Sequence, residues 1–171
     1  GSGKLLEPRF PDDREDLKIS DPSLMVVGDD RFFAEIVKGI ANKNGYKFLS
    51  ARDGKEGMNL AVRYQPSGIL LDEELSDMMG LIVLDHLKFN LSTRQIPVFL
   101  MAGTTLGRKA LEKGAIGFAK KPVSLKDLEN AIQKMDQLRN STEKELLIIG
   151  NEAQMNEVKN LLENKEVSIS T

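Results

Sequence analysis

The sequence predicts an α/β protein with a five-stranded parallel sheet that carries helices on both faces. Five short apolar runs, which are typical of strands buried on both sides, alternate along residues 24–138 with segments whose apolar residues recur at helical spacing. Turn-forming glycine, proline, asparagine and aspartate residues separate most of these segments. Strict alternation of strands and helices favours a parallel sheet whose strands are joined by right-handed crossovers.

Each element of this fold has its own sequence signal. The strands are predicted at Leu24–Val27, at Tyr46–Ala51, in the run ending at Asp72, at Pro97–Met101 and at Ala115–Lys120. The helix after the first strand carries apolar residues at positions i, i+3, i+4 and i+7: Phe33, Ile36, Val37 and Ile40. A short helix is predicted near residues 105–113. The last helix follows Ser124, a typical N-cap residue with Asp127 three positions later.

Composition excludes several classes of function. The 24 basic and 26 acidic residues nearly cancel, so the chain lacks the basic character of a nucleic-acid binder. Cysteine is absent, which excludes disulfides, thiol catalysis and zinc–cysteine sites, and a single histidine, His86, argues against a histidine-based metal site. No apolar run approaches the roughly 20 residues that span a bilayer, and no signal peptide is visible. We therefore expect a cytoplasmic protein without direct membrane contact.

The chain is predicted to begin with a segment that contributes little to the fold. Gly1-Ser2-Gly3 is typical of the remnant of an expression tag. The rest of residues 1–21 is interpreted as a linker, because prolines and a dense charge cluster leave little to bury. The main domain is predicted over residues 22–140.

Residues 141–171 repeat the pattern of the first strand and helix. At an offset of 122 residues, Leu24 falls on Leu146 and Gly28 on Gly150. A repeat at about one domain length predicts the start of a second, truncated copy of the fold. This fragment would be a β-α-β unit with strands at Lys144–Ile149 and Val167–Ser170. The alternative interpretation is a helical extension that packs on the first domain.

Polar residues end three of the predicted strands. Asp29 follows the first strand, Asp72 ends the third and Lys121 follows the fifth. Because side chains at the carboxyl ends of neighbouring parallel strands meet in one crevice, we expect these three residues to lie together. Two carboxylates can bind a divalent cation, and an ammonium can neutralise an incoming anion.

Taken in order, these residues resemble the receiver domains of two-component signalling. The resemblance covers residues 22–140 and rests on a short set of motifs: Asp29, Asp72, Gly80-Leu81, Pro97 and Lys121-Pro122. It implies the flavodoxin-like receiver fold and transfer of a phosphoryl group from a kinase histidine to Asp72 with Mg²⁺. The segment Asp12-Asp13-Arg14, followed by one receiver and the start of another, resembles hybrid histidine kinases with tandem receivers.

The resemblance also implies roles for single residues. The Mg²⁺ ligands would be Asp29, Asp72 and the backbone carbonyl of Glu74, while Lys121 would contact a phosphoryl oxygen. The implied partners are a histidine kinase or phosphotransfer domain and neighbouring receivers of the same chain. The domain itself would be a phosphoacceptor and regulatory module, and the parent chain is expected to be a histidine kinase.

The sequence departs from the family pattern at several positions. The first of two expected acids after strand one is replaced by Gly28, and Asp30 substitutes for it only if the strand bulges by one residue. The usual hydroxyl at the end of strand four is replaced by Met101, and the switch aromatic is Phe118 rather than tyrosine. Two hypotheses follow. Either Asp72 is phosphorylated with an altered switch, or the domain is a pseudo-receiver that binds proteins independently of phosphorylation.

Overall fold

The computed structural model describes residues 10–103 and 106–169, with side-chain environments up to Leu162. The interpretation of Gly1-Ser2-Gly3 and the predicted strand end at Ser170 lie outside the described residues. The chain divides into two compact units, of which the first ends at Met135 and the second begins at Asp136.

The first unit contains the predicted sheet. Its five strands pair in parallel in the order β2-β1-β3-β4-β5. Their bounds are β1 Ser23–Val27, β2 Lys47–Ala51, β3 Gly68–Asp72, β4 Val98–Ala102 and β5 Gly117–Lys120. All five residues of β1 are buried, as expected for a strand covered by helices on both faces. The predicted α/β fold is confirmed.

A helix follows each strand, and aspartate side chains cap the first two helices. Their bounds are α1 Arg31–Lys43, α2 Gly54–Tyr64, α3 Gly80–Phe89, α4 Gly107–Glu112 and α5 Leu125–Ile169. The side chain of Asp53 accepts a hydrogen bond from an N–H in the first turn of α2. Ser124 and Asp127 form a reciprocal cap at the start of α5, so the predicted N-cap is confirmed. In the described part of the chain, no helix has the length and apolar character needed to cross a membrane.

The apolar core lies on both faces of the sheet. Met25 and Val27 of β1 belong to one buried cluster, together with residues of α2 and α3. Leu24 and Val26 belong to the other, together with residues of α1 and the first turns of α5. Alternate residues of one strand therefore point into opposite layers, as the pleat of a strand requires.

The segment before β1 differs from the predicted linker. Phe10 is 5% exposed and belongs to the core cluster beside α1. Asp13 donates its N–H to the carbonyl of Phe48 at 2.9 Å, and its Oδ2 accepts the N–H of Phe48 at 2.8 Å. Oδ2 of Asp12 accepts the N–H of Ser50 at 3.1 Å. The segment therefore satisfies backbone groups on the outer edge of β2, which would otherwise be open for pairing with another chain.

Arg14 completes this attachment, and we call Asp12, Asp13 and Arg14 the edge clamp. The Arg14 Nη2 donates to Oδ2 of Asp12 at 2.7 Å and to the carbonyl of Ser50 at 3.0 Å. The side chains of Arg14 and Asp12 are only 8% and 0% exposed. Burial alone lowers the pKa of Arg14, but its hydrogen bonds to Asp12 and the charge of that carboxylate outweigh burial and raise it. The charge cluster is therefore part of the domain.

The structure also differs from the predicted β-α-β fragment. Residues 144–149 and 167–169, where strands were predicted, lie in α5, as does the predicted helix over residues 152–164. A strand needs a neighbouring strand to satisfy its backbone groups, whereas a helix satisfies them internally. The apolar run at residues 146–149 is exposed, with each side chain at least 58% accessible. The second copy of the fold therefore stays a prediction.

Replacing Asp12 with alanine should lower the free energy of unfolding by about 3 kcal/mol. The change removes the buried partner of the Arg14 guanidinium and the acceptor of the Ser50 N–H. Urea unfolding followed by circular dichroism measures the difference. The control is Glu15→Ala, which removes an exposed carboxylate from the same segment and should change stability by less than about 0.5 kcal/mol. Equal effects of both changes would show that the clamp contributes nothing.

Candidate functional site

The carboxyl ends of β1, β3, β4 and β5 form one edge of the sheet. Asp72, the last residue of β3, pairs with Met101 of β4, and Ala102 of β4 pairs with Lys120 of β5. Lys121 follows β5 directly. Parallel pairing therefore carries Asp72 and Lys121 to the same edge although 49 residues separate them.

Asp72 and Lys121 form a direct ion pair. The Lys121 Nζ contacts Oδ1 of Asp72, which also accepts the backbone N–H of Glu74 at 3.2 Å. The Asp72 side chain is 16% exposed and that of Lys121 is 36% exposed, so the pair is partly shielded but reachable from solvent. The peptide bond between Lys121 and Pro122 is cis. The Asp72–Lys121 ion pair places the Lys121 ammonium where it can neutralise negative charge added to Asp72.

The position of the missing acid faces Asp72. A Cβ added at Gly28 would lie 3.4 Å from the Cβ of Asp72 and 3.5 Å from its Oδ2. These are ordinary contact distances, so the fold leaves room for a Cβ at this position, next to the Asp72 carboxylate. Asp29 is the next residue along the chain and is exposed to solvent. The site therefore has one acid fewer than the family pattern.

Asp30 does not take the place of that acid through a bulge in β1. This strand pairs in unbroken register with both neighbours up to Val27. Asp30 is instead the N-cap of α1, and its Oδ1 accepts the N–H of Phe33 at 3.0 Å. The bulge in β1 that its predicted metal role requires is therefore absent. Asp30 does border the same cavity as Asp72.

That cavity lies beside the Asp72–Lys121 pair and has a volume of about 570 Å³. Its wall combines the charged groups with apolar side chains: Asp30, Asp72, Lys121, Phe32, Phe33, Ile36, Met101, Pro122 and Val123. Met101 is 3% exposed and fills the position where the family has a hydroxyl. A thioether cannot donate a hydrogen bond, so Met101 offers none to an anion on Asp72.

The aromatic residue of β5 lies over the start of α4. A Cβ added at Gly107 would come within 2.2 Å of Cδ2 of Phe118, so the ring occupies the space above this glycine. Phe118 is 47% exposed and has no polar group. Its ring therefore contacts the start of α4 without a hydrogen bond from the side chain.

Two acidic side chains hold the segment that follows Asp72, and the sequence did not predict this role for either of them. The side chain of Asp77 accepts the N–H groups of Gly54 and Lys55, both at 2.9 Å, at the start of α2. Glu73 is 4% exposed, and its Oε1 accepts the N–H of Gly103 at 2.7 Å. Both acceptors reach N–H groups far away in sequence, so no local pattern marked them.

The described side chains limit how a metal can be held. Among residues 10–103 and 106–162, no group of three or more His, Cys, Asp or Glu side chains is arranged to bind a metal ion. The predicted ligands of a cation at this edge stay two carboxylates, Asp29 and Asp72, with the backbone carbonyl of Glu74; Asp72 borders the cavity and Asp29 is exposed to solvent. Such an oxygen donor set with few protein ligands fits Mg²⁺, which usually keeps several waters.

The fold and this edge define an α/β domain with an acid–lysine pair at the carboxyl ends of a parallel sheet. Residues 24–133 match the family model described as the response regulator receiver domain. The chain therefore belongs to the response regulator receiver domain family, and the resemblance inferred from the sequence is confirmed at this level.

Similar proteins agree with this assignment. The chain is 31% identical over 108 residues to the polar-differentiation response regulator DivK of Brucella anthropi and to that of Brucella ovis, a match covering 60% of this chain and 86% of each relative. Among solved structures, the receiver domain of the Francisella response regulator 1452 is 24% identical with a TM-score of 0.62, covering 71% of this chain and 99% of that one.

The receiver domain of a putative LuxO repressor protein from Vibrio parahaemolyticus is also 24% identical, with a TM-score of 0.64. This match covers 74% of the present chain and 97% of the other. At these identities the structural likeness concerns the fold.

The Asp77 attachment should weaken in acid. Desolvation raises the pKa of Asp77, but the N–H groups of Gly54 and Lys55 outweigh it and hold the pKa below its ordinary value of 3.8. A depressed folded-state pKa contributes stability that is present above the unfolded-state pKa and lost as pH falls through the folded-state pKa. The stability gap between the wild-type chain and Asp77→Asn should therefore be largest above about pH 4 and shrink at lower pH. Urea unfolding from pH 7 to pH 3 measures this gap, and a constant gap would contradict the assignment.

Proposed function

We propose that this domain accepts a phosphoryl group from a kinase histidine on Asp72. The observation that carries the proposal is the direct contact between Lys121 and Asp72 at the edge of the sheet. In the transfer, an Asp72 oxygen forms a bond to phosphorus while the phosphorus–nitrogen bond to the histidine breaks. The electron pair of the broken bond stays on the imidazole. Positioning and charge neutralisation dominate such a reaction, because its transition state is loose.

Each residue of the site has its own role in the phosphoryl transfer. Asp72 is the nucleophile, and Lys121 moves from the free carboxylate to a phosphoryl oxygen as charge is transferred. Asp29, Asp72 and the backbone carbonyl of Glu74 would hold Mg²⁺, which neutralises phosphoryl charge when bound. Met101 supplies no hydrogen bond to the phosphoryl group. One such bond to a charged group contributes about 1.5–3 kcal/mol, so its absence slows transfer at least roughly tenfold without abolishing it.

The proposed setting is a cytoplasmic phosphorelay. The donor is a histidine kinase or a phosphotransfer domain, and the parent chain is a hybrid histidine kinase with neighbouring receivers. The Asp12-Asp13-Arg14 segment and the sequence repeat after residue 140 support this setting. Strands at residues 144–149 and 167–170 would require the rest of a second domain to pair with them.

Beryllofluoride, which mimics an acyl phosphate, tests the acceptor. With millimolar Mg²⁺, the wild-type chain should form an adduct on Asp72 that gives its own signals in fluorine NMR, whereas Asp72→Asn should give none. Asp16→Asn, which changes an exposed carboxylate elsewhere, should behave as the wild-type chain does. Absence of the adduct in the wild-type chain would overturn the acceptor function and leave a pseudo-receiver that binds proteins independently of phosphorylation.

Restoring the missing acid should strengthen Mg²⁺ binding. Gly28→Asp adds a carboxylate at a position where the new Cβ makes ordinary contacts with Asp72, 3.4 Å from its Cβ and 3.5 Å from its Oδ2. One further unit charge at about 4 Å contributes a few kcal/mol at an effective dielectric constant of about 20, so affinity should rise at least about tenfold. Isothermal titration with MgCl₂ measures the affinity. Gly28→Asn has nearly the same volume without the charge and should change it much less. Equal affinities for both variants would place the metal elsewhere.

A further inference from the structure

The chain between β3 and α3 forms a narrow hairpin over residues 73–80, which we call the β3–α3 hairpin. At its base, the carbonyl of Glu73 accepts the N–H of Gly80 at 2.7 Å. Near its tip, the N–H of Leu75 donates to the carbonyl of Met78 at 3.2 Å. These two hydrogen bonds fix the register of the hairpin from its base to its tip.

The main-chain groups of Glu74 point out of this hairpin. Glu74 lies opposite Met79 in an antiparallel bridge between the two hydrogen bonds. At such a non-hydrogen-bonded pair, the N–H and the C=O of each residue point away from the opposite strand. The N–H of Glu74 accordingly donates to Oδ1 of Asp72 at 3.2 Å. The carbonyl of Glu74 therefore lies on the side of the hairpin that faces Asp72.

Two different contacts attach the tip of the hairpin to the start of α2. Oδ1 of Asp77 accepts the N–H of Gly54 and its Oδ2 accepts that of Lys55, both at 2.9 Å. Met78 packs directly against Gly54, since a Cβ added at this glycine would lie 2.7 Å from Cγ and 2.8 Å from Sδ of Met78. A two-stranded hairpin is marginally stable in water by itself, so its tip depends on these contacts.

We propose that Asp77 is a positioning residue for the metal site, which fixes the hairpin to α2 and thereby holds the Glu74 carbonyl beside Asp72. Mg²⁺ demands near-ideal octahedral geometry, so a ligand that shifts costs affinity. Asp77 acts through Glu74 and is not itself a ligand, because both of its carboxylate oxygens accept N–H groups of α2. This inference rests on the proposed Mg²⁺ site of Asp72 and Glu74.

Isothermal titration of the full chain with MgCl₂ tests this role. Asp77→Ala removes both acceptors and should weaken Mg²⁺ binding about tenfold, as the loss of groups that orient metal ligands does. Asp77→Asn removes the same charge but keeps one acceptor oxygen, so its affinity should lie between those of Asp77→Ala and the wild-type chain. Because both variants are neutral at this position, a difference between them reports position and not charge.

Asp53→Asn is the matched control at the start of α2. It removes one carboxylate charge from the same helix start, and asparagine still caps the helix. Because Asp53 does not belong to the hairpin, this variant should bind Mg²⁺ within about twofold of the wild-type affinity.

Amide hydrogen exchange without Mg²⁺, read by NMR, shows whether the tip has loosened. In Asp77→Ala, the N–H of Leu75 should exchange about tenfold faster, because the tip has lost its hydrogen bonds to α2. The N–H of Gly80 at the base is the internal control and should exchange as in the wild-type chain. A residue with only a structural role would alter the exchange of Leu75 and leave the Mg²⁺ affinity unchanged.

Three results would overturn the positioning role: wild-type affinity in Asp77→Ala, equal weakening in Asp77→Ala and Asp77→Asn, or a wild-type chain that binds no Mg²⁺. The beryllofluoride experiment decides the acceptor function separately. If Mg²⁺ binding depends on Asp77 as expected and no adduct forms on Asp72, the acceptor function fails while the positioning role stands.

Discussion

Parallel strand pairing is the constraint on which the site depends. Because every strand of the sheet runs in the same direction, the ends of β3 and β5 lie at one edge, and Asp72 meets Lys121 across 49 residues of sequence. The buried apolar runs of the strands hold the two main chains in register, and Asp72 and Lys121 lie where β3 and β5 end.

Carboxylates at this edge serve the backbone as well as the proposed chemistry. Asp30 and Asp53 cap α1 and α2, Asp77 binds two N–H groups at the start of α2, and Glu73 binds Gly103. Each satisfies N–H groups that a helix start or a loop leaves without partners. The number of acids near Asp72 therefore overstates the number available to a metal, which is why Asp30 is a poor substitute for the acid absent at Gly28.

Charged side chains also satisfy backbone groups along β2, the strand at the outer edge of the sheet. β2 has a neighbour on one side only, and the edge clamp gives its exposed backbone groups side-chain and main-chain partners. Asp12, Asp13 and Arg14 are strongly charged, yet they are held against the strand because each charge meets a backbone group or the opposite charge. The domain thus extends at least to Phe10, which packs beside α1.

The sequence by itself determined the five strands, the helices of the first unit, the Ser124 cap and the strand ends that carry Asp72 and Lys121, because periodicity, turns and caps are local properties of the chain. Local pattern did not identify the edge clamp or the contacts of Asp77 and Glu73. A charged segment is buried only where distant backbone groups provide hydrogen-bond partners for it. Those partners are supplied by residues far away in the chain, so only the tertiary structure decided these features.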